Sequence, residues 1–165
     1  ITILIKQMKL TTKGRFAVTA MLDLAMHESD SPVTLTEISD RQAISLSYLE
    51  QLFSQMRRKG LVKSVRGPGG GYLTAQEYQS ITVKKIITAV DEKIDSTQCG
   101  MDENCQGGSR CITHDLWVSL NTKILDYLDG LSLEDLVNSQ NNTDKPITFK
   151  AAAKKNNQLK IGIVR

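Results

Sequence analysis

Residues 34–73 read TLTEISDRQAISLSYLEQLFSQMRRKGLVKSVRGPGGGYL, and the order of signals in this stretch decides the fold. Thr34 and Glu37 have the spacing of a capping box, in which hydroxyl and carboxylate satisfy the orphan amides of a helix start. A short helix carrying Leu35 and Ile38 should therefore run to Arg41-Gln42. Ser45 reads as the N-cap of the next helix, with Leu49, Leu52, Phe53 and Met56 on one face, basic Arg57-Arg58-Lys59 in the last turn and Gly60 as the stop. Its other face carries Ser47, Tyr48, Glu50, Gln51, Ser54 and Gln55. Two strand-like runs follow, Leu61 to Val65 and Gly71 to Leu73, around Arg66-Gly-Pro-Gly-Gly70, a composition suited to a hairpin tip.

Upstream, Phe16, Ala20 and Leu24, with Ala17, Met21 and Ala25 beside them, recur at helical spacing from Thr12 until Ser29-Asp-Ser-Pro32 stops the pattern. Two helices, a third with a polar outer face, then a glycine-rich hairpin: this order is a winged helix-turn-helix. Downstream, a helix over Thr82 to Val90 has Val83, Ile86, Ile87 and Val90 on one side, and a glycine-containing, cysteine-bearing loop runs from Asp95 to Arg110. A longer helix from Thr113 carries Trp117, Leu120, Ile124 and Leu128 as one stripe, widened by Leu116 and Leu125. A last helix is expected at Leu133 to Val137, capped by Ser132 with Asp135 three residues on. The fold class is mainly α with a small β-hairpin wing. Residues 8–91 form the winged helix-turn-helix, and residues 92–140 a metal-binding loop and a dimerisation helix. Residues 1–7 are set apart as an extension before Met8, and residues 141–165, without any period, read as a disordered basic tail.

At 165 residues, with 40% apolar and 24% charged positions, the chain should bury roughly 70% of its unfolded surface without covalent staples. Net charge is +3, but unevenly placed: +4 over residues 1–91, −6 over 92–140 and +5 over 141–165. A basic half followed by an acidic segment suits a polyanion-binding module joined to something that does not touch the polyanion. No stretch reaches the roughly 18 apolar residues of a spanning helix. Three closely spaced cysteines, an odd number, fit a reducing compartment, so the protein is expected in the cytoplasm without membrane contact.

The helix opened by Ser45 is the candidate base reader, because a helix fits the major groove and must offer short polar groups near its N-terminal end. Ser45, Ser47, Tyr48, Glu50 and Gln51 stand there; Gln can pair with adenine, and Glu can accept from the cytosine amino group. Arg66 at the hairpin tip is placed for a minor groove. A solvated polar face would be the bland reading of that helix alone, but the element order and the local charge favour nucleic acid. No Gly-Lys-Ser/Thr follows the glycine run, which argues against a nucleotide loop.

Cys99, Cys105, Cys111 and His114 form C-x5-C-x5-C-x2-H, a four-ligand set of three thiolates and one imidazole. Polar neighbours such as Asp102, Glu103 and Asn104 make burial a poor account of these cysteines. Zinc remains a rival to an iron-sulfur cluster; the gaps exceed common zinc knuckles, and Gly100, Gly107 and Gly108 allow close backbone approach to a larger cluster. The alternative for His114 is a helix-start residue with its ring in solvent. An enzyme, for example a redox carrier, finds little support: with only His27 and His114 available, no set of nucleophile, base and orienter can be assembled. The Trp117, Leu120, Ile124 and Leu128 stripe needs a partner and is expected to form a homodimer, with two reading heads about one helical turn apart on a palindromic operator.

Four stretches together, 8–21, 44–53, 65–72 and Cys105-Gln-Gly-Gly108, resemble the bacterial iron-sulfur cluster regulators of the IscR type. This is a winged-helix family that also contains the nitric oxide sensor NsrR. The resemblance spans residues 8 to 140. It implies a homodimeric transcription factor that holds a [2Fe-2S] cluster through Cys99, Cys105, Cys111 and His114, receives it from iron-sulfur assembly proteins, and controls the genes for that assembly. It also marks Ser45 to Arg58 as the base-reading helix, with Glu50 prominent. His114, three residues after Cys111, favours the cluster regulators over the nitric oxide sensors. The alternatives are a nitric oxide-sensing iron-sulfur repressor of the NsrR type and a zinc-stabilised DNA-binding protein.

Overall fold

The computed structural model describes residues 12–29, 31–90, 94–95, 102–104 and 108–141. The expected extension at 1–7 and residues 142–165 of the expected tail lie outside the described residues, whereas Asn141, expected to begin that tail, is helical. Helix α1 spans Thr12–His27, α2 Leu35–Gln42 and α3 Leu46–Arg58; strands β1 (Val62–Val65) and β2 (Gly71–Thr74) form an antiparallel hairpin. A 3-10 turn at Tyr78–Ser80 leads into α4 (Val83–Ala89), and α5 (His114–Asp129) and α6 (Leu133–Asn141) complete the order.

Most of the apolar stripes converge on one main core, and Val83, Ile87 and Leu131 form a second, smaller cluster. Met21 and Leu24 of α1, Ile38 of α2, Leu49, Leu52, Phe53 and Met56 of α3, and Ile81 and Ile86 around α4 are all fully buried. Leu133 of α6 joins the same cluster, so α6 packs back onto α1. Both capping boxes form. The Thr34 hydroxyl accepts from Glu37 N at 3.2 Å while Glu37 Oε2 accepts from Thr34 N at 2.8 Å. Asp135 N donates to the Ser132 hydroxyl at 3.1 Å and Ser132 N to Asp135 Oδ2 at 3.0 Å.

Three details differ from the sequence expectations. Ser45 occupies the N-cap position of α3, but its hydroxyl makes no capping bond; its carbonyl accepts from Tyr48 N and Leu49 N instead. Helix α6 continues to Asn141 rather than stopping at Val137, since a closed capping box and packing on α1 outweigh the weak helix propensity of Asn138, Ser139, Gln140 and Asn141. The hairpin also gains a third, single-residue partner: Val33 and Tyr72 exchange two backbone bonds of 3.0 and 2.8 Å. Gly71 permits this, because a Cβ there would lie 2.5 Å from the Val33 carbonyl oxygen.

Asp23 of α1 clamps the helix-turn-helix. Its side chain is 1% exposed and accepts from Arg41 Nη2 at 2.6 Å, Arg41 Nε at 3.1 Å and Gln42 Nε2 at 2.6 Å, at the end of α2. Burial pushes this carboxyl up, but hydrogen bonds from Arg41 and Gln42 and the guanidinium charge outweigh it and hold the group below its ordinary value. A depressed carboxyl contributes stability that is present above its unfolded pKa and lost as pH falls through the folded one. Asp23→Ala should therefore destabilise the fold by about 2–4 kcal/mol at neutral pH, read as a lower denaturant midpoint. The stability difference from wild type should shrink on acidification below about pH 4. An unchanged midpoint at pH 7 would contradict the clamp.

Candidate nucleic-acid interface and metal-ligating loop

The turn between α2 and α3 is fixed locally. Ala43 adopts the left-handed region (φ 53°, ψ 39°), the Ser39 hydroxyl donates to the Ile44 carbonyl at 2.6 Å, and the Ile44 side chain is buried. Helix α3 therefore leaves the turn in a set direction, its apolar face in the core. Ser45, Ser47, Glu50 and Gln51 are exposed on the other side, where the sequence places its base readers. Tyr48 differs: it is half-buried, its ring edge packs against Phe16 with centroids 5.9 Å apart, and the ring thus helps to hold α1 against α3.

The wing is tied to α3 and to α1. Arg57 Nη1 donates to the Ser64 hydroxyl at 3.3 Å. Glu28, at the end of α1, accepts from Thr74 N at 2.6 Å and from the Tyr78 hydroxyl at 2.8 Å. Burial, then the Glu28 carboxylate, push the Tyr78 hydroxyl well above its usual range, so it stays a donor. Arg66 is exposed directly after β1, and Gly67 at φ +105° turns the chain at the tip. These tethers of the wing are not visible in the sequence pattern.

Of the four predicted metal ligands, Cys111 and His114 are described and Cys99 and Cys105 lie outside the described residues. His114 N donates to the Cys111 carbonyl at 3.1 Å, a single turn that brings thiol and imidazole to the mouth of α5. Although His114 is the first residue of α5, it is 4% exposed, which excludes a ring standing in solvent. Its Nε2 lies 4.0 Å from Glu103 Oε1. Arg110 pairs with both Glu103 and Asp115, an ion network across the loop that sequence reasoning missed because no spacing rule announces it. Among the described residues no three potential ligands gather at one point. Cys111 and His114 nevertheless suit a cluster chemically: a half-buried cysteine, soft as a ligand, and a buried imidazole, one turn apart.

Along α5 the apolar stripe is only partly used within the chain. Leu128 packs against Val83, Ile87 and Leu131, whereas Trp117 is 40% and Leu116 60% exposed, with Leu120 and Ile124 half-buried. The far end of α5 is moored to the head. Asp129 accepts from the Thr82 hydroxyl at 3.0 Å and pairs with Lys84 at 3.2 Å, and Val83 N donates to the Leu131 carbonyl at 2.9 Å. One end of α5 thus carries His114 and the other is fixed beside α4.

A family model described as Rrf2, iron-dependent transcriptional regulator, matches residues 10–139. The HTH-type transcriptional regulator IscR of Yersinia pseudotuberculosis is 59% identical over 133 residues, 81% of this chain and 81% of that protein. IscR of Photorhabdus laumondii matches to the same extent. Among solved structures, IscR of T. potens superposes with a TM-score of 0.68 at 36% identity, covering 84% of this chain and 92% of the other. CymR, the global cysteine regulator of B. subtilis, gives 0.70 at 33% identity, covering 80% and 98%.

Proposed function

The chain belongs to the Rrf2 family of iron-dependent transcriptional regulators, and from that premise we propose that its choice of DNA is set by a [2Fe-2S] cluster held by Cys99, Cys105, Cys111 and His114. It is a transcriptional regulator that binds DNA, and its relatives bear the names of regulators rather than enzymes. The observation that carries the cluster reading is the buried imidazole of His114 one turn after Cys111, at the start of the helix whose apolar stripe is only partly covered. A cluster bound there supplies a signal that reports the state of iron-sulfur assembly, the process whose genes the protein controls. Iron-sulfur assembly proteins are the donors, and the setting is the cytoplasm.

The protein's own residues do the rest. His114 and the three cysteines would hold the cluster, and the exposed part of the Trp117, Leu120, Ile124 and Leu128 stripe pairs with a second copy. Two α3 helices then face half-sites of a palindromic operator, with Ser45, Ser47, Tyr48, Glu50 and Gln51 at the bases and Arg66 in the minor groove. Visible absorption of anaerobically purified protein, with iron, sulfide and zinc analysis, tests the cofactor. Two irons and two sulfides per chain are expected; colourless protein with one zinc would overturn it.

Glu50 and Arg66 should separate in their effects. A carboxylate near phosphates is repelled unless a cytosine amino group meets it, so Glu50→Ala should relax sequence choice while keeping affinity for the best site within about tenfold. Arg66→Ala should weaken binding to all sites and lower the slope of log affinity against log salt by about 1 per protomer. Equal affinity losses on every DNA for Glu50→Ala, measured by titration against a panel of sites, would contradict its reading role.

A further inference from the structure

We infer that Leu46 reads DNA, its side chain meeting the 5-methyl group of a thymine in the major groove. The inference rests on the proposed placement of α3 in that groove. Among the described residues, four of the exposed large apolar side chains stand on or beside α5, and two, Leu46 and Val65, stand on the two elements that face DNA. Leu46 is 40% exposed as the first residue of α3, whereas Leu49, three residues on, is fully buried. Leu46 therefore leaves a large part of an apolar side chain in water, while Ser45 and Ser47 on either side are small, polar and exposed.

Direction and chemistry agree. Side chains on a helix lean toward its N-terminus, so that of Leu46 projects past the first turn, the part of a reading helix that reaches base edges. The thymine methyl is the one apolar feature that the major-groove edges present. Leu46 and Glu50 are four residues apart on one ridge of α3, and one helical turn of about 5.4 Å spans one to two base steps. The thymine should therefore lie one or two base pairs from the position that Glu50 tests.

Uracil in place of thymine removes only the methyl and keeps the base pair. An operator recovered from random DNA by the wild-type protein is resynthesised with each symmetry-related pair of thymines replaced in turn. Burial of one methyl is worth about fourfold, so one such pair should weaken wild-type binding about fifteenfold over two half-sites. Leu46→Ala should respond less than about twofold at that position, and Leu46→Met should keep the sensitivity. The inference is overturned if no thymine is sensitive or if Leu46→Ala is as sensitive as wild type. Failure of the wild type to enrich any DNA would overturn the proposed function as well, and so separates the two failures.

Discussion

Replacing Ile124 by aspartate is expected to leave the protein monomeric at micromolar concentration and to weaken binding to a two-half-site operator by at least about a hundredfold. Helix α5 leaves Trp117 and Leu116 partly exposed and Leu120 and Ile124 half-buried, a larger apolar face than the single chain covers. In a two-fold dimer the substitution enters the interface twice, and each carboxylate must be withdrawn from water without a partner. A lone head keeps only half of the base and phosphate contacts. The fold itself should survive, since α5 is moored at its other end by Asp129, Thr82 and Lys84, and an unchanged circular dichroism spectrum would register that. Sedimentation that shows a dimer for Ile124→Asp would mean that this face is not the dimer interface.

The second large effect belongs to His114. Substitution His114→Ala should give largely cluster-free protein, with loss to a chelator faster than wild type by on the order of a hundredfold. His114→Cys should retain a cluster and release it more slowly, because a thiolate restores the negative charge and softness that the imidazole lacks. In cells that variant should hold regulation in the cluster-bound state. His114 is buried, so His114→Ala also leaves a small void; the cysteine variant, which gives back a ligand but not the ring, separates ligation from packing. Identical loss rates for all three proteins would mean that His114 is no ligand.

The elements that the sequence made legible are those specified by neighbours a few residues apart. Thr34 with Glu37 and Ser132 with Asp135 close their boxes as their spacing predicts, and the periodic stripes of α1, α3 and α4 enter the core. What spacing could not announce is held by pairs distant in the chain. Asp23 meets Arg41 and Gln42 across 18 and 19 residues, Glu28 meets Thr74 across 46, and Val33 bridges to Tyr72. Nothing local distinguishes such a carboxylate from a solvated one. Ser45 shows the opposite limit: its identity suits a cap, yet the left-handed Ala43 and the Ser39 bond set the turn, leaving the hydroxyl out of the capping scheme.

At the site, residue type and spacing pointed to the ligand set but left His114 between ligand and solvated helix start; its burial decides against the second. The Glu103, Arg110 and Asp115 network depends on the path of the loop, which composition does not encode. The exposed face of α3 followed from helical period, except that Tyr48 is half-buried with its ring packed on Phe16.

On the proposed reading, a cluster on the α5 side of the protein sets the DNA choice of α3 and the wing. Selection of bound sequences from one random DNA pool, run in parallel with anaerobically reconstituted cluster-bound protein and with the cluster-free form, tests it most directly. The cluster-bound form should enrich a palindromic site that the cluster-free form does not enrich equally. Identical enriched sites, bound with identical affinity by both forms, would contradict it.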